Sequence, residues 1–332
     1  AYGSPDGRII SIRASAGGTL RFREYETGES RRLHPDGNLR FIAGADFMAR
    51  EPVELSVEFQ LGRDGIAESL VYAFKQEQPL TFERVSREEW VSFQSAGITL
   101  TGRVDLPPGA GPHPGVVLAH GSGKDPAIAF YPNGDFFAQN GIATLTFDKR
   151  GTGLSEGEYT MDFDLLAKDV VAAVEHLAAR PDIDGERIGI SGFSQGGWIG
   201  PLAASLSPRV KWVIVNYGMI ESPAHGARKE MLTLLHERGV TGKDLEKADE
   251  LMIAAINLIA AGFKSGWNEF NAVRERYKGE PWMEQFKGSR ISYLLRYPGW
   301  LMRLIGPSLF PSGPHWHYDS QAVLDTLTIP MV

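Results

Sequence analysis

Residues 187–204 read RIGISGFSQGGWIGPLAA, and within them Gly192-Phe193-Ser194-Gln195-Gly196 fits the pattern G-x-S-x-G. The flanks give that pattern its meaning. Arg187-Ile188-Gly189-Ile190 reads as a strand, and Gly197-Trp198-Ile199-Gly200-Pro201-Leu202-Ala203-Ala204 reads as a packed helix. A serine between the two sits on a sharp strand-to-helix turn that lifts its hydroxyl clear of the sheet. The turn closes only if the residues two positions away on either side are small, which Gly192 and Gly196 are. The chain also contains its own control. Gly153-Leu154-Ser155-Glu156-Gly157 fits the same pattern, but it follows the loop Asp148-Lys149-Arg150-Gly151-Thr152 and runs into acidic, turn-like residues. With no strand and no helix attached, it is expected to be a surface loop.

A second element supports Ser194. His120-Gly121-Ser122-Gly123 ends the apolar run Gly115–Ala119, about 70 residues upstream. Acyl transfer builds negative charge on a carbonyl oxygen, and preorganised backbone N–H groups must meet it. One donor is expected to be the N–H of Gln195, the residue after the nucleophile. The other is expected from the H-G-S-G loop, at Ser122 or Gly121. His120 belongs to that loop and is expected to brace it rather than act as a base.

Around these motifs the apolar runs Gly115–Ala119, Ala143–Phe147, Arg187–Ile190 and Val210–Tyr217 fit strands buried on both faces of a parallel sheet. Asp164–Ala179 carries Leu166, Val170, Val174 and Leu177 on one stripe and reads as a crossover helix. Trp90–Phe93 and Ile98–Val104 read as a hairpin. The βαβα rhythm predicts an open α/β sheet.

Taken together, residues 115–217 resemble the α/β-hydrolase superfamily. H-G-S-G, the loop Asp148-Lys149-Arg150-Gly151-Thr152-Gly153-Leu154-Ser155, the Asp182/Asp184 turn and G-F-S-Q-G-G occur in that family's order and spacing. The nearest branch holds serine esterases, dienelactone-hydrolase-like and prolyl-oligopeptidase-like enzymes, and acyl-CoA thioesterases. The resemblance implies an eight-stranded sheet, a helical cap inserted after strand six, and a Ser–Asp–His triad. It implies no metal and no organic cofactor. Asp148 and Arg150 are expected to be structural, since no chemistry requires them.

The chain is expected to divide into four parts. Residues 1–86 carry short alternating runs (Arg8–Arg13, Leu20–Tyr25, Leu39–Ile42, Val53–Leu61, Ile66–Phe74 and Leu80–Val85) broken at Gly17-Gly18, Thr27-Gly28, Asp36-Gly37 and Asp64-Gly65. They predict a small antiparallel β-meander domain, similar to those accompanying many secreted bacterial hydrolases. Residues 87–221 form the α/β core. Residues 222–317 read as helices only and hold Trp267, Trp282, Trp300 and Trp316, four of the seven tryptophans. Thr241 is expected to cap a helix bearing Leu245, Ala248, Met252, Ala255 and Ile259, with Gly262 at its end. This insertion is expected to build its own helical core and to lie as a lid over an apolar pocket. Residues 318–332 return to the core, with strand seven starting at Ile329.

In this family the triad acid follows strand seven and the histidine follows strand eight. The resemblance therefore places both beyond Val332, and the sequence is read as ending short of them. His225, His236, His315 and His317 all fall in the insertion, and Glu221 follows strand six. Each is weighed as a partner for Ser194 and set below the family positions, because a base must reach the hydroxyl at about 3 Å and be oriented by a third group. His315-Trp316-His317-Tyr318-Asp319 resembles the start of an H-x-H-x-D metal signature, but no further histidine follows. Asp319-Ser320 is read as a helix cap instead. Gly121-Ser122-Gly123-Lys124-Asp125 lacks the upstream glycine and the Ser/Thr of a P-loop, and Gly151-Thr152-Gly153 has Glu156 where a dinucleotide fingerprint needs glycine.

Composition closes off other classes. Of 332 residues 42% are hydrophobic and 23% charged, as in ordinary globular proteins. None is cysteine, which removes disulfides, thiolate zinc sites and cysteine nucleophiles. A net charge of −7 without a long Lys/Arg run argues against nucleic acid or an anionic membrane as partner. No apolar stretch is long enough to span a bilayer. Ala1 in place of Met, the absent cysteine and the β module favour export from a bacterial cell. The expected activity is hydrolysis of a carboxylic ester through an acyl-enzyme on Ser194. A short-peptide substrate is the runner-up, then thioester hydrolysis or acyl transfer. A binding scaffold is the reading if the chain ends at Val332.

Overall fold

The computed structural model describes residues 1–15, 19–24, 26–85, 87–130, 133–216, 221–310 and 313–332. The expected Gly17-Gly18 turn, and Tyr25 and Tyr217 at strand ends, lie outside them. Eight strands come first: β1 (Tyr2–Gly3), β2 (Ile9–Ser15), β3 (Thr19–Glu24), β4 (Ser30–Pro35), β5 (Arg40–Ala43), β6 (Leu55–Leu61), β7 (Ala67–Phe74) and β8 (Leu80–Arg84). Each pairs antiparallel with the next, and β1 pairs with β8 through Tyr2 with Arg84 and Gly3 with Glu83. The expected antiparallel β-meander closes on itself as a barrel. Closure removes both edge strands. Eight strands leave an interior that side chains can fill, and Ile10, Phe22, Leu33, Leu55, Val57, Leu70, Tyr72 and Phe82 fill it. Phe22 stacks on Tyr72 at 5.7 Å, and Tyr72 meets Phe82 edge-on at 5.5 Å.

The second sheet is built from β9 (Arg87–Ser95), β10 (Ile98–Leu106), β11 (His113–Ala119), β12 (Ala143–Phe147), β13 (Ile183–Phe193) and β14 (Val210–Asn216). Its order is β14-β13-β11-β12-β10-β9. β11 to β14 are parallel, and β9 and β10 form an antiparallel hairpin whose inner strand pairs with β12. Helices α1 (Ala127–Phe130), α2 (Asn133–Gln139), α3 (Phe163–Ala178) and α4 (Gly196–Leu206) connect these strands. The stripe Leu166, Val170, Val174 and Leu177 on α3 is buried in the sheet's core, and Asp162 caps the helix by accepting from Leu165 N. Pro330 O accepts from Val213 N and Val332 exchanges bonds with Val213 and Val215, so residues 330–332 run parallel to β14. The described residues thus form six strands and this added segment, of the eight strands the resemblance implies.

A helical layer follows β14: α5 (Pro223–Glu237), α6 (Lys243–Ala260), α7 (Trp267–Arg276), α8 (Ile291–Arg296) and α9 (Gly299–Leu309), with 3₁₀ turns at Pro281–Phe286 and Pro314–His317, then α10 (Ser320–Leu324). Leu251, Met252, Ala255, Ile259, Trp267, Phe270, Trp282 and Phe286 form a core of its own. The start of α6 differs from the expected Thr241 cap. The helix begins after Gly242, which has φ +56° and supplies no side-chain cap. Glycine adopts that positive φ without the steric cost a Cβ would bring.

Arg13 of the barrel ties the two sheets together. Its guanidinium bonds Asp105 at 2.9 Å, Asp135 at 2.7 Å and Glu88 at 3.0 Å. Asp105 and Asp135 are fully buried, and Arg103 also bonds Asp105 at 3.2 Å. These acids are grouped closely enough to suggest a cation site, but Arg13 already supplies the positive charge. Burial pushes the Asp105 carboxyl up, and Arg13 and Arg103 more than offset it, holding it below its ordinary 3.8. Its contribution to stability is therefore complete above pH 3.8 and is lost as the pH falls through the lower folded value. Arg13→Met leaves two buried carboxylates short of a partner and is expected to cost about 3–5 kcal/mol near neutral pH. Urea unfolding of both proteins at a series of pH values checks this, the gap narrowing below pH 3.8.

Candidate functional site

β13 ends at Phe193 and α4 begins at Gly196, leaving Ser194 and Gln195 as the turn. Ser194 has φ +52°, a left-handed conformation that costs a side-chain-bearing residue and persists only where its surroundings fix it. They do so here. Ser194 N donates to Asn216 O at 2.8 Å, and Gly197 N donates to Ser194 O at 2.8 Å. Asn216 Nδ2 donates to Ser191 Oγ at 3.1 Å and Gly192 O at 3.3 Å, so the end of β14 clamps the turn. A Cβ on Gly192 would stand 2.1 Å from Gly196 O, and one on Gly196 would stand 2.2 Å from Ala119 O. Both glycines are therefore sterically required. The Ser194 side chain is exposed.

The parallel register places Ala119 beside Gly192, so the loop 120–123 emerges next to the turn. Ser122, Ser194 and Gln195 line one cavity of about 1040 Å³. Neither the Gln195 N–H nor the Ser122 N–H has a partner among the described residues. Gly121 O accepts from Lys149 Nζ at 2.9 Å. Lys149 is 2% exposed, and burial brings its amine down to about 8. His120 lies beneath the loop, 3% exposed, edge-on to Phe147 at 5.3 Å. Burial, with Lys149 adding repulsion, pushes its imidazole down to about 3. A ring so buried and uncharged packs the loop from below.

Four residues to which the sequence reading gave no role complete the arrangement: Asn216, Lys149, Tyr159 and Met161. Tyr159 Oη donates to Ser122 O at 2.6 Å and lies 3.1 Å from Met161 Sδ. Gln195 Nε2 donates to that sulfur at 3.2 Å. The Lys124 and Lys149 ammonium groups each lie 4.8 Å from the Tyr159 ring centre, a cation–π clamp on both. The loop at 120–123 and the residue after Ser194 are thereby joined through one phenol and one thioether.

The remaining sequence candidates fall into place around this. Ser155 Oγ donates to Asp148 O at 2.6 Å and accepts from Thr101 N at 2.9 Å, pinning its loop to β10. Asp148 accepts from Ile128 N and Leu154 N at 3.1 and 3.0 Å. Arg150 holds buried Asp169 through two bonds of 2.5 and 2.7 Å. Glu221 pairs with His225 at 3.0 Å on the surface, and His236 and His317 are exposed. His315 alone of these four histidines lines the cavity with Ser194. Asp319 caps α10 by accepting from Ala322 N at 3.2 Å. The rest of the cavity wall is largely apolar: Met161, Phe163 and Trp198 on the sheet side, and Met231, Leu234, Met252, Ile256, Ile259 and Phe310 on the helical side. Exposed Lys229, Glu230, Glu237 and Arg290 mark its rim. No helix of the described residues is long and apolar enough to cross a membrane.

The parallel strands with their crossover helices are those of an α/β hydrolase, the class to which this chain belongs. Residues 66–284, about two thirds of the chain, match the family model of X-Pro dipeptidyl-peptidase (S15 family), and the chain is a member of that family. It is 35% identical over 128 residues to the thiohydrolase aneE of Aspergillus aculeatus, covering 38% of this chain and 40% of that protein. It is 30% identical over 165 residues to the esterase EstD of Thermotoga maritima, covering 46% of this chain and 39% of the relative. The chain thus spans about two fifths of the length of these curated relatives. Among solved structures, an esterase of Pyrococcus furiosus aligns with a TM-score of 0.44 at 17% identity, over 74% of this chain and 67% of that one.

Proposed function

We propose that the protein is a serine hydrolase that cleaves carboxylic esters through an acyl-enzyme on Ser194, with residues 222–317 as a cap over the acyl site. The observation that carries the reading is Ser194, exposed at φ +52° on a strand-to-helix turn and opening into a large apolar cavity. Ser194 Oγ attacks the ester carbonyl, and a histidine base takes its proton. The resemblance assigns that base to the position after strand eight. The oxyanion is received by the Gln195 N–H and by an N–H of Ser122 or Gly121, at the amino end of α4, where the helix dipole also favours negative charge. Collapse expels the alcohol, which takes up the proton, and water then releases the acid from Ser194. No metal or organic cofactor enters these steps.

A fluorophosphonate probe tests the reading directly. The expected result is one adduct on Ser194 by mass spectrometry, and labelling that survives in Ser194→Ala refutes it. The family supports a second reading, cleavage of short peptides, and the exposed carboxylates of Glu230 and Glu237 at the rim suit a substrate ammonium group. The thiohydrolase relative keeps thioesters in view. The mainly apolar wall favours an ester with an apolar acyl group. Parallel assays on p-nitrophenyl esters of rising chain length, acyl thioesters and aminoacyl-anilides separate the three.

Tyr159 acts here as a positioning residue, because it fixes the loop that carries one oxyanion donor. Tyr159→Phe removes the bond to Ser122 O and is expected to lower kcat about tenfold with KM within about twofold. Steady-state kinetics on one ester checks the split, and a rise in KM with kcat unchanged argues for a binding role instead.

A further inference from the structure

One buried charge close to the serine has no part in the steps above. Among the described residues the Lys149 ammonium pairs with no carboxylate, and burial alone shifts it, down to about 8. An ammonium taken out of water without a counter-ion is costly. Its hydrogen bond runs to Gly121 O at 2.9 Å. The Gly121 carbonyl and the Ser122 N–H are two ends of one planar amide. A cation bonded to the carbonyl holds that plane and draws electron density toward the oxygen, which makes the N–H a stronger donor. The Ser122 N–H has no partner among the described residues, and Ser122 lines the cavity with Ser194 and Gln195. The next amide is held as well. Tyr159 Oη donates to Ser122 O at 2.6 Å, and the Tyr159 ring centre lies 4.8 Å from the same ammonium. Lys149 thus grips the loop at Gly121 directly and at Ser122 through the ring.

We infer that Lys149 is a positioning residue for the oxyanion: its charge orients and polarises the Gly121–Ser122 amide, so that the Ser122 N–H is the second donor beside that of Gln195. The negative charge that gathers on the substrate carbonyl then supplies the counter-charge this ammonium lacks. The assignment rests on the reading of Ser194 as the nucleophile. Without its proton, Lys149 bonds Gly121 O only as a neutral donor, about half as strongly, and the cation–π contact with Tyr159 ends. Turnover therefore depends on the charged form, which prevails below about 8 and is lost as the pH rises through that value. The groups packed around it do not share this titration. Burial keeps the His120 imidazole uncharged down to about 3 and raises the Tyr159 phenol above its ordinary 10. Asp148 accepts from Ile128 N and Leu154 N, and Arg150 is held by Asp169. Lys124 shares the Tyr159 ring but stands exposed.

The test follows kcat and KM for one aryl ester in the full chain across neutral and alkaline pH. In the parent protein kcat is expected to hold level up to about 8 and then to fall about tenfold. Lys149→Met removes the charge but keeps the apolar stem. It is expected to lower kcat at neutral pH about thirtyfold, with KM within about twofold, and to abolish the alkaline fall. Lys149→Arg keeps a charge that does not titrate in this range, so kcat is expected to stay within about fivefold of the parent and to remain level through the alkaline range. Lys124→Met is expected to keep the alkaline fall. A lysine that only braced the loop would leave kcat indifferent to its proton. The inference is overturned if the parent's kcat stays level on the alkaline side, if the fall survives in Lys149→Met, or if the Met and Arg variants lose kcat equally while circular dichroism shows both folded. Should either variant unfold, the profile of the parent against that of Lys124→Met decides, a fall that vanishes with Lys124 refuting the assignment. Failure of the Ser194 reading shows elsewhere, as fluorophosphonate labelling or ester turnover that persists in Ser194→Ala.

Discussion

Alanine at position 194 is expected to lower kcat for an aryl ester by a factor of about 10⁶, to the residue of catalysis left by the oxyanion donors and binding. In the proposed mechanism the hydroxyl is the atom that forms the covalent intermediate, so no neighbouring group can take its share. Stability should change little, because the turn is held by backbone bonds from Asn216 and Gly197 rather than by the side chain. Ser155→Ala is the matched control, since its serine occupies the other copy of the pattern. Its hydroxyl bonds Asp148 O and the N–H of Thr101, so the expected cost is about 1 kcal/mol of stability with turnover unchanged. Equal losses of activity in both variants would remove the distinction on which Ser194 was chosen.

Within the serine turn, the largest stability effect is expected at the two flanking glycines. Gly196→Ala puts a methyl group 2.2 Å from the Ala119 carbonyl, and Gly192→Ala puts one 2.1 Å from the Gly196 carbonyl. Backbone must move in either case, because neither obstacle is a flexible side chain. Each substitution is expected to cost about 3–5 kcal/mol, read as a lower urea midpoint by tryptophan fluorescence. Gly185→Ala, whose new methyl would stand 3.4 Å or more from its neighbours, should stay within about 0.5 kcal/mol of the parent. A variant at Gly192 or Gly196 as stable as that control would contradict the tight turn.

The parallel sheet was legible because its strands announce themselves locally. Val116–Ala119 and Ala143–Phe147 are buried runs bounded by glycine or turn residues, and α3 carries its apolar stripe at helical spacing. The barrel was legible only as separate strands. Its closing strand is two residues long, and pairing Tyr2 with Arg84 is a contact no local pattern encodes. β4 was missed because its sequence, SRRLHP, looks like solvent-facing chain. Arg31 is in fact buried, over the Phe74 ring at 5.3 Å and bonded to Glu54 at 3.2 Å. Around the serine, the residues that make the turn lie within five positions of one another and could be read as a motif. Asn216 reaches the site from the end of β14, and Tyr159 and Met161 from the segment before α3, through a few hydrogen bonds that leave no periodic or compositional trace.

The acids beneath the barrel bear on how such a protein is put together in evolution. A β module that merely sat beside its neighbour could be traded between genes as a free cassette. This one lodges an arginine in a socket whose carboxylates, Asp105 on β10 and Asp135 on α2, belong to the α/β half. A lineage that discarded or exchanged the module would inherit stranded negative charge at the heart of the remaining half. Loss of the module should therefore be accompanied by neutral residues at those two positions, and its retention by the acids.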